Sequence, residues 1–196
     1  MKKWVWGLFA VALAIIWGIR YHAVNTEYNE ILPENPVKIY GVGDWVPFET
    51  DFLDYDSSGE GYSIRVDRYE VVSRQEAMER WNADESVQIE AGDKFLIVYV
   101  TLRNESGKDG IMLTDLKMST VDTNLFMNWG LLSAANKLDD GSYGILLAQG
   151  TEHEVILPFS ARSFFFSAHT WKHLETEKFY LQVTAYATKK IIALGT

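Results

Sequence analysis

Residues Trp4 to Ile19 run without a single charged side chain, and no other feature constrains the chain as strongly. At 1.5 Å per residue such a helix covers about 24 Å, slightly less than the roughly 30 Å hydrocarbon core of a bilayer. Trp4, Trp6, Trp17 and Tyr21 cluster at its ends, where amphipathic rings favour the membrane interface. Lys2 and Lys3 precede it, so the positive-inside bias predicts a cytoplasmic N-terminus and an extracytoplasmic C-terminal body. A cleaved signal peptide shares the basic start and apolar core. Against cleavage, Ala10-Val-Ala12 and Ala12-Leu-Ala14 both lie inside the run, because Ile15-Ile-Trp-Gly-Ile19 continues it. The reading is an uncleaved anchor over residues 1–20, with the lipid bilayer as partner through residues 4–19. Secretion after cleavage is the alternative.

The first 26 residues hold Lys2, Lys3 and Arg20 and no acid, which leaves 15 basic against 27 acidic side chains in the remainder. A body so acidic is repelled by phosphate, so no nucleic-acid partner is expected. The chain has no cysteine, which excludes disulfides, thiolate metal sites, a Cys nucleophile and a lipidated cysteine.

Residues 21–60 show little periodicity and read as an extended stalk. Pro33 and Pro36 disfavour helix before them, and Val37-Lys-Ile-Tyr40 reads as a short edge strand. From residue 61 the pattern is β. Tyr62, Ile64 and Val66, with the alternation carried on to Arg68, share one face, and Ser63, Arg65 and Asp67 the other. Ser73-Arg-Gln-Glu76 is a capping box opening a helix from Arg74 to about Trp81. Phe95 to Leu102 is β-branched and aromatic, fit for a central strand. Strands follow within Gly110–Met118, Val121–Trp129, Tyr143–Ala148, Glu152–Phe159, Lys178–Ala187 and Lys190–Leu194, and Gly130–Asp140 reads as irregular. Many short strands with frequent turns predict an all-β fold for residues 61–196. The expected form is an antiparallel immunoglobulin-like sandwich with one short helix, preceded by the transmembrane helix.

Chemistry is sparse. His169 and His173 are four apart, as zinc-binding pairs on a helix are, but no third ligand is evident, and solvated loop histidines are the plainer reading. Asp54, Asp56 and Ser58 stand at the first, third and fifth positions of an EF-hand-like loop, with Gly59 at the sixth; Arg65 occupies the twelfth, where a bidentate Glu belongs. An acidic turn is the plainer reading there, so both metal candidates are weak and no cofactor is expected. No nucleophile elbow, S-x-x-K or phosphate-binding loop occurs, so the chain is not expected to be an enzyme. Phe164-Phe-Phe166 strains the strand pattern, since three successive rings must divide between two faces. Phe164, Phe165, Phe166 and Trp171 are therefore the candidate partner-binding residues, although contact with a second layer or with the stalk is the plainer reading for the phenylalanines and core packing for Trp171.

The segments Gly61-Tyr-Ser-Ile-Arg-Val66, the short helix with Glu76, Phe95-Leu-Ile-Val-Tyr-Val-Thr-Leu-Arg-Asn104, Gln149-Gly-Thr-Glu-His-Glu-Val-Ile-Leu-Pro-Phe159 and Phe179-Tyr-Leu-Gln-Val-Thr-Ala-Tyr-Ala-Thr-Lys-Lys-Ile-Ile192 carry a family likeness. In that order they resemble uncharacterised membrane-anchored Ig-like families of Gram-positive bacteria, within the telokin-like sandwich group. The resemblance implies a surface-exposed sandwich on a single anchor and no catalytic residues. The expected function is a membrane-anchored extracytoplasmic interaction module, such as an accessory subunit of a cell-surface or export complex with a membrane or surface protein partner. An extracytoplasmic ligand- or metal-sensing domain and a cell-wall hydrolase are the alternatives. Contacts are expected on an edge strand or in the loops 137–144 and 164–173.

Overall fold

The structure is a computed structural model that describes residues 2–31, 35–52, 59–83, 92–107, 109–138 and 143–195. It divides into two compact units, residues 1–35 and 36–196. The first is helix α1, Lys2–Ile31, whose side chains are described at Trp4, Gly7 and residues 11–24. All of these are exposed. Among the described residues, no helix is long and apolar enough to cross a membrane. The helix continues past residue 20, and the second unit begins at Pro36, so the structure divides the chain elsewhere than at the expected 20 and 60.

The second unit is mostly β. Its elements in chain order are β1 Val37–Tyr40, β2 Val46–Pro47, β3 Tyr62–Ser73, α2 Arg74–Trp81, β4 Lys94–Asn104, β5 Ile111–Met112, β6 Lys117–Ser119, β7 Asn124–Met127, α3 Trp129–Asn136, β8 Gly144–Ile145, β9 Glu152–Ala161, α4 Ala168–Lys172, β10 Phe179–Thr184 and β11 Lys189–Leu194. Among the described residues nine strands form one sheet in the order β1-β11-β10-β6-β7-β9-β4-β3-β2, and β5 pairs with β8 apart from it. All the sheet's pairs are antiparallel except β1 with β11.

The two edge strands, β1 and β2, are neighbours in sequence. Nine strands laid flat would hold them about 38 Å apart at roughly 4.8 Å per strand. Residues 41–45 reach across about 20 Å at most. The sheet must therefore fold back on itself, with short β7 as the crease, pairing β6 on one side and β9 on the other. The main core fills the fold: Ile64, Val66, Leu96, Val98, Val100 and Leu102 from one half pack with Met118, Leu181, Val183, Ile192 and Leu194 from the other. Strand β4 is the buried central strand expected from its composition, with Leu96, Ile97, Val98 and Leu102 all at 0% exposure.

A smaller core lies on the outer face of β4. Val72, Ala77, Ala83, Phe95, Ile97 and Leu131 pack there beneath α2 and α3. Helix α2 begins as expected, with Ser73 Oγ accepting from the Glu76 N–H at 3.2 Å. The reciprocal half of the capping box is absent: the Glu76 carboxylate turns to Arg80 one turn on instead. Helix α3 replaces the irregular stretch expected over 130–136. Asn128 caps it, its Oδ1 accepting from the Leu131 N–H at 2.9 Å, and Leu131 and Leu132 anchor it at 0% exposure.

Candidate functional site

The charged surface of the β-unit originates in one irregularity of β3. Val66 pairs with Val100 and Arg68 with Tyr99, so Asp67 is an extra residue, a β-bulge. A bulge lets two successive side chains share a face. Before it, Tyr62, Ile64 and Val66 point into the main core; after it, Tyr69 and Val71 do. Arg65, Asp67, Arg68 and Glu70 are thereby all delivered to the outer face. The expected placement of Arg68 with Ile64 and Val66 is corrected by this bulge, because strict alternation fails at the inserted residue.

On that face Tyr99 and Thr101 of β4 stand opposite Ile156 and Glu154 of β9. Together with Arg65, Asp67, Arg68 and Asn136 they line an open groove of about 500 Å³. Its charged groups are held in place. Asp67 receives Arg65 Nε at 2.6 Å and the Thr101 hydroxyl at 2.6 Å. The Arg68 guanidinium lies 3.3 Å over the Tyr99 ring, a cation–π arrangement. Glu70 Oε1 accepts from Arg80 at 2.6 Å and from the Tyr99 hydroxyl at 2.7 Å. Hydrogen bonding from Arg80 outweighs the effect of partial burial and, with help from Tyr99 and Arg68, holds the Glu70 carboxyl below its usual range. Arg80 is raised in turn, chiefly by Glu70. Beside the groove, Trp45 lies under both Arg65 and Arg103.

Asn136 closes one end of the groove by acting as a strand. Its Nδ2 donates to the Ile156 carbonyl at 2.7 Å, and its Oδ1 accepts the Ile156 N–H at 2.7 Å. Farther along the same edge the Pro158 carbonyl accepts from Asn128 N–H at 2.8 Å. Pro158 is tolerated inside β9 because its missing N–H would face away from β4, where no ladder bond is required. The arrangement holds two guanidinium and two carboxylate groups around a polar floor. It can orient a polar ligand.

The residues singled out from sequence fall elsewhere. Asp54, Asp56 and Ser58 lie outside the described residues, as do residues 139–142 of the loop 137–144. His169 and His173 do come together, with ring centroids 4.9 Å apart on exposed α4 and its C-terminal cap. Among the described residues no group of three or more His, Asp or Glu could hold a metal ion. Phe164, Phe165 and Phe166 are not in a strand: Ser163–Phe165 is a turn of 3-10 helix. The Phe164 and Phe165 rings touch at a tilt of 42°, centroids 4.1 Å apart, and are 71% and 44% exposed. Phe166 and Trp171 turn inward, 5.7 Å apart, and pack on the main core. The groove itself was missed because its residues come from four elements far apart in sequence.

A family of domains of unknown function, DUF5028, matches residues 37–190. The chain belongs to the DUF5028 family. No curated protein and no solved structure matches it. The DUF5028 match opens on β1 and closes within β11, its parallel partner, where Lys38 stands beside Lys190. The family segment thus contains the groove and the Phe turn.

Proposed function

We propose that this DUF5028 protein is an extracytoplasmic binding module of immunoglobulin-like sandwich form, tethered by its N-terminal helix to the membrane from which it meets a surface or membrane protein. The observation that carries the reading is the character of α1. From Val11 to Val24 its apolar side chains are exposed all round the helix, with Arg20 and His22 its only strongly polar members. A helix apolar on every side requires an apolar surrounding. Residues 11–24 span about 21 Å, and the uncharged run in the sequence extends them back to Trp4. A sheet folded back around one core supports the sandwich, and the paired, exposed Phe164 and Phe165 support a contact surface. The test is alkaline carbonate extraction of the full-length protein with protease added outside intact cells. Retention in the pellet with external cleavage is expected; a wholly soluble, protected protein overturns the reading.

The groove favours a second reading, a sensor of small zwitterionic ligands, since Arg65 and Arg68 are balanced there by Asp67 and Glu154. A thermal-shift panel of free amino acids and dipeptides tests it. A rise in unfolding temperature that Arg68→Ala abolishes supports it, and no shift across the panel rejects it.

A further inference from the structure

We infer that the turn Ser163–Phe165 is a second, shallow membrane contact, seating the Phe164 and Phe165 rings at the lipid headgroup boundary. The inference rests on the anchored reading above and adds to it the face that meets the bilayer. Two large rings this exposed are costly in water, and the turn that carries them is rigid. The Phe165 N–H bonds the Arg162 carbonyl at 3.0 Å and the Phe166 N–H the Ser163 carbonyl at 3.2 Å. Phe166 and Trp171 root it in the core, so the rings are presented without an ordering cost at the moment of contact.

Charge selects lipid as the occupant. The chain carries a net charge of −9 and its bulk is repelled by an anionic bilayer. From Val155 to Leu174 there is no carboxylate, while Arg162 and Lys172 are present. Among the described residues, the acids at this end of the sheet include Asp93, Asp122 and Glu175. Asp93 is spent on the turn, its Oδ2 accepting the Ser163 N–H at 2.8 Å, and Glu175 faces Lys94 at 4.0 Å. Exposed aromatic rings in a segment whose Lys and Arg are not offset by any Asp or Glu have the composition of an interfacial membrane contact. The tether makes a weak contact sufficient. Helix α1 ends at Ile31 and β1 starts at Val37, so five residues of chain join the tether to the sheet. That confinement raises the local concentration of the bilayer for any lipid-facing patch.

The absence of cysteine allows a clean test. The full-length Phe164→Cys protein, labelled with an environment-sensitive fluorophore, is reconstituted into vesicles of phosphatidylcholine with a minority of phosphatidylglycerol, with and without nitroxide-bearing lipid. A label at Ala148→Cys is the control, since Ala148 is exposed and precedes the start of β9, whereas the Phe turn follows its end. Flotation of the protein with a blue-shifted Phe164→Cys label that nitroxide lipid quenches, and an unaffected control, is the expected result. Flotation with a water-like, unquenched label overturns this contact and leaves the anchor standing. A blue-shifted label that nitroxide lipid does not quench assigns the turn to a second copy of the chain and also overturns it. Failure to float removes the anchor and the contact together.

Discussion

Lys190 Nζ lies 2.7 Å from Asp51 Oδ2, an ion pair in which the lysine side chain is wholly buried and the aspartate nearly so. Lys190 is on β11, and Asp51 follows β2, the opposite edge of the sheet. The same ammonium donates to the Pro47 carbonyl at 2.7 Å and to Glu49 Oε2 at 2.6 Å. Asp51 Oδ1 accepts from the Thr188 N–H at 3.0 Å. The pair therefore fastens the folded sheet where its two edges meet. Breaking a buried pair strands the remaining charge, at a cost of about 3–5 kcal/mol. Lys190→Met is expected to destabilise the domain by that amount in urea denaturation. Lys190→Met with Asp51→Leu should recover much of the loss, since no buried carboxylate is then left alone. Equal losses in the single and double variants would contradict the latch.

The same groups set the pH range of stability. Burial would push the Asp51 carboxyl up, but hydrogen bonds from Lys190 and Thr188 overcome it and leave it below its usual value. Glu70 is lowered too, chiefly by Arg80. Depressed carboxyls contribute stability above their unfolded pKa values of about 4, lost as the pH falls through the folded ones. For Lys190, burial acts downward, and its bonds to Asp51 and Glu49 carry it above its usual value. Its contribution is full below about pH 10 and lost as the pH rises through the folded pKa. A stability plateau between about pH 4 and 10 is expected for these groups, followed by denaturant midpoint across pH. In Lys190→Met the alkaline fall should flatten. An unchanged alkaline limb would show that Lys190 is not its source.

Asn136 supplies hydrogen bonds that a neighbouring strand would otherwise give to Ile156. Asn136→Leu leaves one N–H and one carbonyl of β9 without their partner, for an expected loss of about 1–3 kcal/mol. The local readout is amide hydrogen exchange at Ile156, which should quicken while Val98 in β4 stays protected. Asn136→Asp keeps the acceptor and loses the donor, so its effect at the Ile156 amide should be smaller. Unchanged exchange at Ile156 in both variants would refute the role.

What the sequence disclosed was what one strand or one turn decides. Ser73 before Ala77 and Trp81 announced α2, and the unbroken run Phe95 to Leu102 announced β4, because capping and burial on both faces leave local marks. Helix α3 escaped because Gly130 and Ser133 are poor helix residues; Asn128, three residues before Leu131, was the available signal. Phe164–Phe166 suggested strand by composition, yet the chain turns there because the Ser163 N–H is taken by Asp93, seventy residues earlier. The groove was hidden for a related reason. A bulge is a property of paired strands, and β3 alone does not reveal that Asp67 has no partner.

That bulge makes a final expectation unusual. Removing one residue from a strand normally turns every later side chain to the wrong face. Here Asp67 is the surplus residue, so its deletion brings Arg68 next to Val66 in a regular ladder and keeps Tyr69 and Val71 facing the core. The deletion loses the exposed Arg65–Asp67 pair, worth about 0–1 kcal/mol, and the Thr101 bond. The domain should therefore fold with a stability within about 1–2 kcal/mol of the parent, while Arg65 is released into the groove and Thr101 loses its acceptor. Far-ultraviolet circular dichroism, denaturation and the ligand panel used for the groove measure these together. Preserved folding with altered binding would assign the bulge to the site; collapse of the fold would show that the added twist it gives β3 is what closes the sheet.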